Sequence, residues 1–217
     1  MNDYFTNLNK FNSHEIVHEL KKYAVEFDVP IISDEGLVYL LQLVRFKNIK
    51  NILEIGTAIG YSSINLALTS KDIHIDTIER NFSMYSKAIE NIKSAQLDNQ
   101  INVILSDALE VDLNQLKKSY DLIFIDAAKA QNIKFFEKYD ILLDDNGIIV
   151  TDNLLFHGLV ESCDEIESRN LRALIRKIKN YNDWLASNTK YNTVFLKIGD
   201  GMAVSEKNEN NNRTKKS

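Results

Sequence analysis

Between residues 51 and 151 the chain alternates repeatedly between two periodicities. Short apolar runs fall at Asn51 to Ile55, Ile73 to Glu79, Ile101 to Leu105, Asp121 to Asp126 and Gly147 to Thr151. The stretches between them, Tyr61 to Thr69, Phe82 to Ala95 and Ile133 to Leu142 among them, carry apolar residues at helical spacing. Strands that alternate with helices imply a parallel, doubly wound α/β sheet, because each crossover returns the chain to the same sheet edge. The run Asp121-Leu122-Ile123-Phe124-Ile125-Asp126 is almost wholly apolar, as a strand covered on both faces should be. Two further strands, Asn192 to Ile198 and Met202 to Ser205, are joined only by Gly199-Asp200-Gly201. That loop is too short for a crossover, so the pair forms a hairpin and one terminal strand runs antiparallel.

The flanks read differently. Residues 1–48 form a mostly helical N-terminal extension. Ser13 is a candidate N-cap, and Ile16, Val17, Leu20, Tyr23, Ala24 and Phe27 follow at helical spacing. Val29-Pro30 breaks that helix, and Ser33-Asp34 opens a second with Leu37, Leu40, Leu41 and Val44 on one face. Residues 49–206 form the sheet domain. A long charged helix from about Asp164 to Ser187 precedes the hairpin. Residues 207–217, KNENNNRTKKS, read as a frayed basic tail. A chain of 217 residues, 44% of them hydrophobic, can bury a core without staples. The single cysteine, Cys163, excludes an intramolecular disulfide and a cysteine-built zinc site. No apolar run approaches the roughly 18 residues of a membrane helix. No signal peptide is read, so a cytoplasmic location is expected. The net charge of −5 argues against a molecule coated in basic charge, but leaves room for a local basic face.

The glycine turn Gly56-Thr57-Ala58-Ile59-Gly60 follows the first strand, where open α/β folds bind ligands. Its G-x-x-x-G spacing matches neither the dinucleotide fingerprint nor a phosphate loop, so a nucleoside ligand without a pyrophosphate is expected. Gly56 would let the backbone approach the ligand, and Gly60 would permit tight packing at the helix start. Glu79, ending the second strand, is placed to accept hydrogen bonds from ribose hydroxyls, and Asp107, just after the third, to meet an adenine edge. The alternative is a pair of plain turn glycines and a solvated strand end.

Asp126 ends the fourth strand and Asp152-Asn153 the fifth. Two carboxylates and an amide oxygen form a hard donor set that suits Mg²⁺, Mn²⁺ or Ca²⁺. Lys129, at the mouth of such a site, could act as a base. The competing reading makes the aspartates helix caps and Lys129 a surface charge. Arg169, Arg172, Arg176 and Lys179 fall on one helical face and suit either phosphate contact or a solvated face paired with Asp164, Glu165 and Glu167. His14 and His18 have metal-ligand spacing but no acidic partner nearby. Tyr181 and Trp184 suit a core or a dimer contact.

The ordered set LEIGTAIGYS, TIER, SDA, FIDAAK and TDN resembles the metal-dependent, S-adenosylmethionine-using O-methyltransferases of the caffeoyl-CoA and catechol type, over about residues 30 to 206. FIDAAKAQNIKFFEKY, TDNLLFHGLV and KIGDGMAVS resemble its bacterial branch, the tRNA 5-hydroxyuridine methyltransferases. The resemblance implies a Rossmann-like, seven-stranded methyltransferase sheet with a reversed last strand. It implies cofactor contacts from Ile32, Glu54, Gly56, Ser62, Glu79, Asp107, Ala108 and Asp126. It implies a divalent metal, Mg²⁺ or a similar ion, on Asp126, Asp152 and Asn153, with Lys129 as catalytic base. His157 stands where the bacterial branch often has arginine, in a loop that should touch substrate. The implied reaction is methylation of the 5-hydroxyl of wobble uridine 34 in a tRNA anticodon loop, giving 5-methoxyuridine. The alternative is a small catechol or caffeoyl-CoA-like phenol. Relatives are commonly homodimers.

Overall fold

The computed structural model describes residues 14–127, 131–162 and 167–208, with Tyr4, Leu8 and Asn9 before them. The elements are α1 (Glu15–Glu26), α2 (Asp34–Phe46), β1 (Asn51–Ile55), α3 (Tyr61–Ala67), β2 (His74–Glu79), α4 (Phe82–Ser94), β3 (Ile101–Leu105), β4 (Tyr120–Ile125), α5 (Asn132–Tyr139), β5 (Leu143–Thr151), α6 (Arg169–Ser187), β6 (Tyr191–Leu196) and β7 (Met202–Lys207). Lys129, Ser13, Cys163, Asp164, Glu165 and the tail from residue 209 lie outside the described residues.

The seven strands form one sheet in the order β3-β2-β1-β4-β5-β7-β6. The first five run parallel, and β7 is antiparallel to both β5 and β6. The hairpin therefore reverses one strand as expected, and β7 takes the inner position. The chain winds outward from β1 in one direction and from β4 in the other. The carboxyl ends of β1 and β4 therefore flank a switch point, where a crevice opens.

Strand pleating sorts the core into two layers. On β4, Leu122 and Phe124 face a cluster with Leu37 and Leu40 of α2, Ile64 of α3 and Ile92 of α4. Ile123 and Ile125 face the other layer, with Phe135 and Tyr139 of α5 and Tyr181 and Leu185 of α6. Val17, Leu20 and Ala24 of α1 join the first layer, where α1 packs against α3 and α4, and α2 against α3. Tyr181 is buried and its hydroxyl bonds Thr151 Oγ1 at 2.8 Å, while Trp184 packs beside it, which makes both core residues.

Several boundaries differ from the sequence expectation for local reasons. Ser33 caps α2 as expected, accepting from the Gly36 amide at 3.1 Å. β5 begins at Leu143 rather than Gly147, because a register shift opposite Tyr120 and Leu122 absorbs the polar Asp144-Asp145-Asn146. α5 ends at Tyr139 and tightens into a 3₁₀ turn over Asp140–Leu142. α6 is described from Arg169, with Ser168 as its N-cap.

Candidate active site

β1 leaves the sheet through Gly56, and a side chain there would be obstructed. Its φ is +104°, and a Cβ would lie 2.5 Å from the carbonyl oxygen of Asp126. The Gly56 amide donates to Ile78 O at 3.0 Å and the Asp126 amide to Ile55 O at 3.0 Å, so the turn is wedged between the ends of β2 and β4. The glycine is thus needed against the protein's own backbone. Gly60 caps α3 at φ +83°, yet a Cβ there would meet only ordinary contacts from 3.6 Å outward. Its requirement is the left-handed backbone rather than the tight packing expected from sequence.

Glu79 is far from a solvated strand end. Its Oε2 accepts from the Ala58 amide at 2.9 Å and its Oε1 from the Asn81 amide at 2.8 Å. Each carboxylate oxygen keeps a lone pair for a ligand. Asp107 anchors the turn after β3 by accepting from the Leu109 amide at 2.9 Å, and the Tyr139 hydroxyl donates to Ala108 O. Burial, then the neighbouring Asp107, raises the Tyr139 hydroxyl, which keeps it a donor.

Glu54 occupies a different place from the one the resemblance implies. It is 0% exposed and lies behind the cavity wall rather than in it. Ser62, Ser63 and Thr77 all donate their hydroxyls to its carboxylate, and Thr57 Oγ1 bonds Thr77 Oγ1 at 2.7 Å. Burial pushes the Glu54 carboxyl up to about 7. The three hydroxyls pull it down and Asp126 adds a further upward push. Glu54 therefore ties the first turn of α3 to β1 and β2.

A cavity of about 950 Å³ opens at the switch point, at the large end of small-molecule sites. Ile32, Gly56, Ser62, Glu79, Asp107, Ala108 and Asp126 all line it, as do Asn153 and His157. Seven of the eight expected cofactor residues thus meet in one space, with Glu54 the exception.

Of the expected metal ligands, Asp126 and Asn153 line the cavity, while Asp152 lies behind that lining. Asn153 Nδ2 donates to Asp126 Oδ1 at 3.0 Å and to Asp152 Oδ2 at 3.3 Å. Asp152 is only 1% exposed. The three side chains converge tightly enough that one amide spans both carboxylates. With the amide turned so that its oxygen faces inward, the set offers hard oxygen donors to a divalent cation. Among the described residues no group of three or more His, Cys, Asp or Glu side chains is placed to hold a metal ion, so a cation here would need the Asn153 amide beside the two carboxylates.

His157 stands at the mouth with its side chain 81% exposed. Arg169, Arg172, Arg176 and Lys179 are exposed on α6, opposite the buried Ile175 and Ile178. They do not line the cavity, although Leu174 between them does. Among the cavity residues that the sequence reading did not single out is Asp200, in the β6–β7 turn, which the motif KIGDG contains but which read only as part of a hairpin loop.

An open, mostly parallel sheet with a reversed strand near one edge, and a nucleoside-sized cavity at its switch point, is the architecture of the class I methyltransferases. The family described as O-methyltransferase matches residues 8–208, and the chain belongs to it. It is 30% identical over 202 residues to the caffeoyl-CoA O-methyltransferase of Populus kitakamiensis, covering 88% of this chain and 86% of that one. A putative caffeoyl-CoA O-methyltransferase from Staphylococcus aureus, of solved structure, is 47% identical with a TM-score of 0.87, over 91% of this chain and 93% of that one. The O-methyltransferase TomG from Streptomyces achromogenes, solved in complex with S-adenosylmethionine, is 25% identical with a TM-score of 0.79, over 94% of each chain.

Proposed function

We propose that the protein transfers the methyl group of S-adenosylmethionine to one of two neighbouring oxygens on a small phenol of catechol or caffeoyl-CoA type. The observation that carries this reading is the junction of two half-sites in one cavity: a nucleoside cradle at Glu79 and Asp107, and the pair Asp126 and Asn153, whose amide also bonds the buried Asp152 behind them. The named relatives at 30% and 47% identity favour the small phenol over RNA.

In this reading Glu79 accepts from the ribose hydroxyls, Asp107 and Ala108 flank the adenine, and Ile32, Gly56 and Ser62 bound the methionine portion. Asp126, Asp152 and Asn153 would hold a divalent cation such as Mg²⁺, which when bound stabilises negative charge on the acceptor oxygen. Lys129 is proposed to take the hydroxyl proton. The oxygen then forms its bond to the methyl carbon as the carbon–sulfur bond breaks, leaving S-adenosylhomocysteine. The cavity's contribution is placement: holding both reactants in line is worth up to roughly 7–11 kcal/mol of the barrier.

One observation favours a second reading, methylation of 5-hydroxyuridine at tRNA position 34. The exposed stripe Arg169, Arg172, Arg176 and Lys179 runs along the same helix as Leu174, which lines the cavity. A stripe so placed suits the phosphates of an anticodon loop whose base enters the cavity.

A methyl-transfer assay with S-adenosylmethionine and Mg²⁺ separates the two, with catechol and caffeoyl-CoA in one arm and 5-hydroxyuridine-bearing tRNA in the other. Methylated phenol, lost on adding EDTA, supports the proposal. 5-Methoxyuridine with untouched phenols replaces it with the tRNA reading. Activity that survives EDTA removes the metal from either.

A further inference from the structure

The segment after β5 is unusual in its backbone. Asn153, Phe156 and His157 have φ of 63°, 47° and 57°, and Gly158 has 79°. Three non-glycine residues in the left-handed region within five positions persist only where their surroundings hold them. This strap carries Asn153, Phe156 and His157 into the cavity lining.

The β6–β7 turn holds one side of it, and Asn182 of α6 donates to Leu154 O at 3.0 Å. Leu154 N donates to Gly201 O at 2.9 Å and Leu155 N to Asp200 O at 2.8 Å. The Asp200 side chain then accepts from the His157 amide through Oδ1. Its Oδ2 is buried, makes no hydrogen bond among the described residues, and lies 3.9 Å from His157 Nδ1. The same turn is braced from the opposite side, where Gly199 N donates to Glu35 Oε2 at 3.1 Å at the start of α2. Asp200 is only 17% exposed and itself lines the cavity. Among the described residues its carboxylate is the one side chain that reaches across from the turn to bond the left-handed run.

We propose that Asp200 is a positioning residue for the acceptor: by holding the His157 amide it keeps the strap over residues 153–158 in its left-handed course and so sets the acceptor wall of the cavity. The inference rests on the reading of this cavity as a methyltransferase site. It separates the two halves of that site, since the ligand-facing groups Gly56, Ser62, Glu79 and Asp107 make no hydrogen bond to Asp200 among those described.

The test compares Asp200→Ala with Asp200→Asn. The alanine variant removes the acceptor for the His157 amide, and the asparagine variant keeps an acceptor oxygen while losing the charge. Amide hydrogen exchange across residues 154–160, S-adenosylhomocysteine binding by calorimetry, and KM and kcat for catechol are read on both. For Asp200→Ala we expect the His157 amide to exchange about tenfold faster and the catechol KM to rise about tenfold, with product binding within about twofold of wild type. Asp200→Asn should recover most of both losses. Unchanged exchange, or faster exchange with an unchanged KM, overturns the proposal. So does product binding that weakens in step with KM, which marks a general structural role. A wild-type protein that methylates no catechol refutes the activity reading instead, and the exchange and product-binding measurements then decide the clamp by themselves.

Discussion

Folding this chain buries a carboxyl group that resists ionisation. Glu54 is fully enclosed, and burial raises it from an ordinary 4.5 to about 7 against the pull of the Ser62, Ser63 and Thr77 hydroxyls, with Asp126 pushing it higher. Between those two values the native protein retains a proton that the unfolded chain has released. Stability therefore falls as pH rises: the contribution is fully present below 4.5 and is lost as pH passes through about 7. At about 1.4 kcal/mol per pH unit, the interval amounts to roughly 3 kcal/mol, a large share of a typical 5–15 kcal/mol domain stability. Glu54→Gln removes the ionisation while the Ser and Thr hydroxyls can turn to accept from the amide. Urea unfolding of the ligand-free protein and of the variant, from pH 4.5 to pH 8.5, isolates the effect, because every other titrating group cancels in the difference. The variant should gain about 3 kcal/mol on wild type across that range. Two curves that stay parallel would refute the reasoning, and would mean that the hydroxyl cage stabilises the ionised carboxylate as well as water does.

Other consequences can be read from single substitutions. Gly56→Ala forces a Cβ against the Asp126 carbonyl at φ +104°, so it should lose at least about 1–3 kcal/mol of stability and most product binding, checked by melting and calorimetry. Glu79→Ala removes the proposed ribose acceptor and the brace on the Ala58 amide, and should weaken S-adenosylhomocysteine about tenfold or more, with unaltered affinity counting against the cradle. Asp126→Ala should abolish turnover while leaving product binding largely intact, and a parallel loss of both would erase the proposed division between half-sites. Reversing Arg172 and Arg176 to Glu should flatten the salt dependence of any tRNA binding, and unchanged binding removes the second reading.

The sheet was legible because its information is local. A run such as Asp121 to Asp126 must be covered on both faces, and the length of each crossover dictates parallel pairing. The direction of the hairpin followed from three loop residues. What escaped was where pairing is interrupted. Leu143 joins β5 across a register shift that Asp144-Asp145-Asn146 conceals, since polar residues on a bulge read as a loop. Gly147 marks that place only in three dimensions, where a Cβ would meet Leu143 Cδ1 at 2.8 Å and Asp121 O at 3.0 Å.

The two halves of the site differ in the same way. The cofactor half is built at the ends of consecutive strands, so Gly56, Glu79 and Asp107 announce themselves by position, and all three line the cavity. Even there, Glu54 stands outside the lining, because the motif records that an acid is present and not which way the strand's pleat sends it. Its alternation with Leu53 and Ile55 gives no warning, since β1 is buried on both faces. The acceptor half depends on contacts between distant segments. Asn153 meets Asp126 across 27 positions, and His157 meets Asp200 across 43. Strand order could bring Asp126 and Asp152 together, because β4 and β5 are neighbours. Nothing in the spacing of Gly199-Asp200-Gly201 reveals that its carboxylate crosses to the strap. In a sheet whose cofactor end is framed by strand termini and whose acceptor end is framed by returning loops, substitution in the loops can change the acceptor while the cradle stays intact. Asp200 lies at that boundary, which is why its variants distinguish a fixed methyl-donor site from an adjustable acceptor wall.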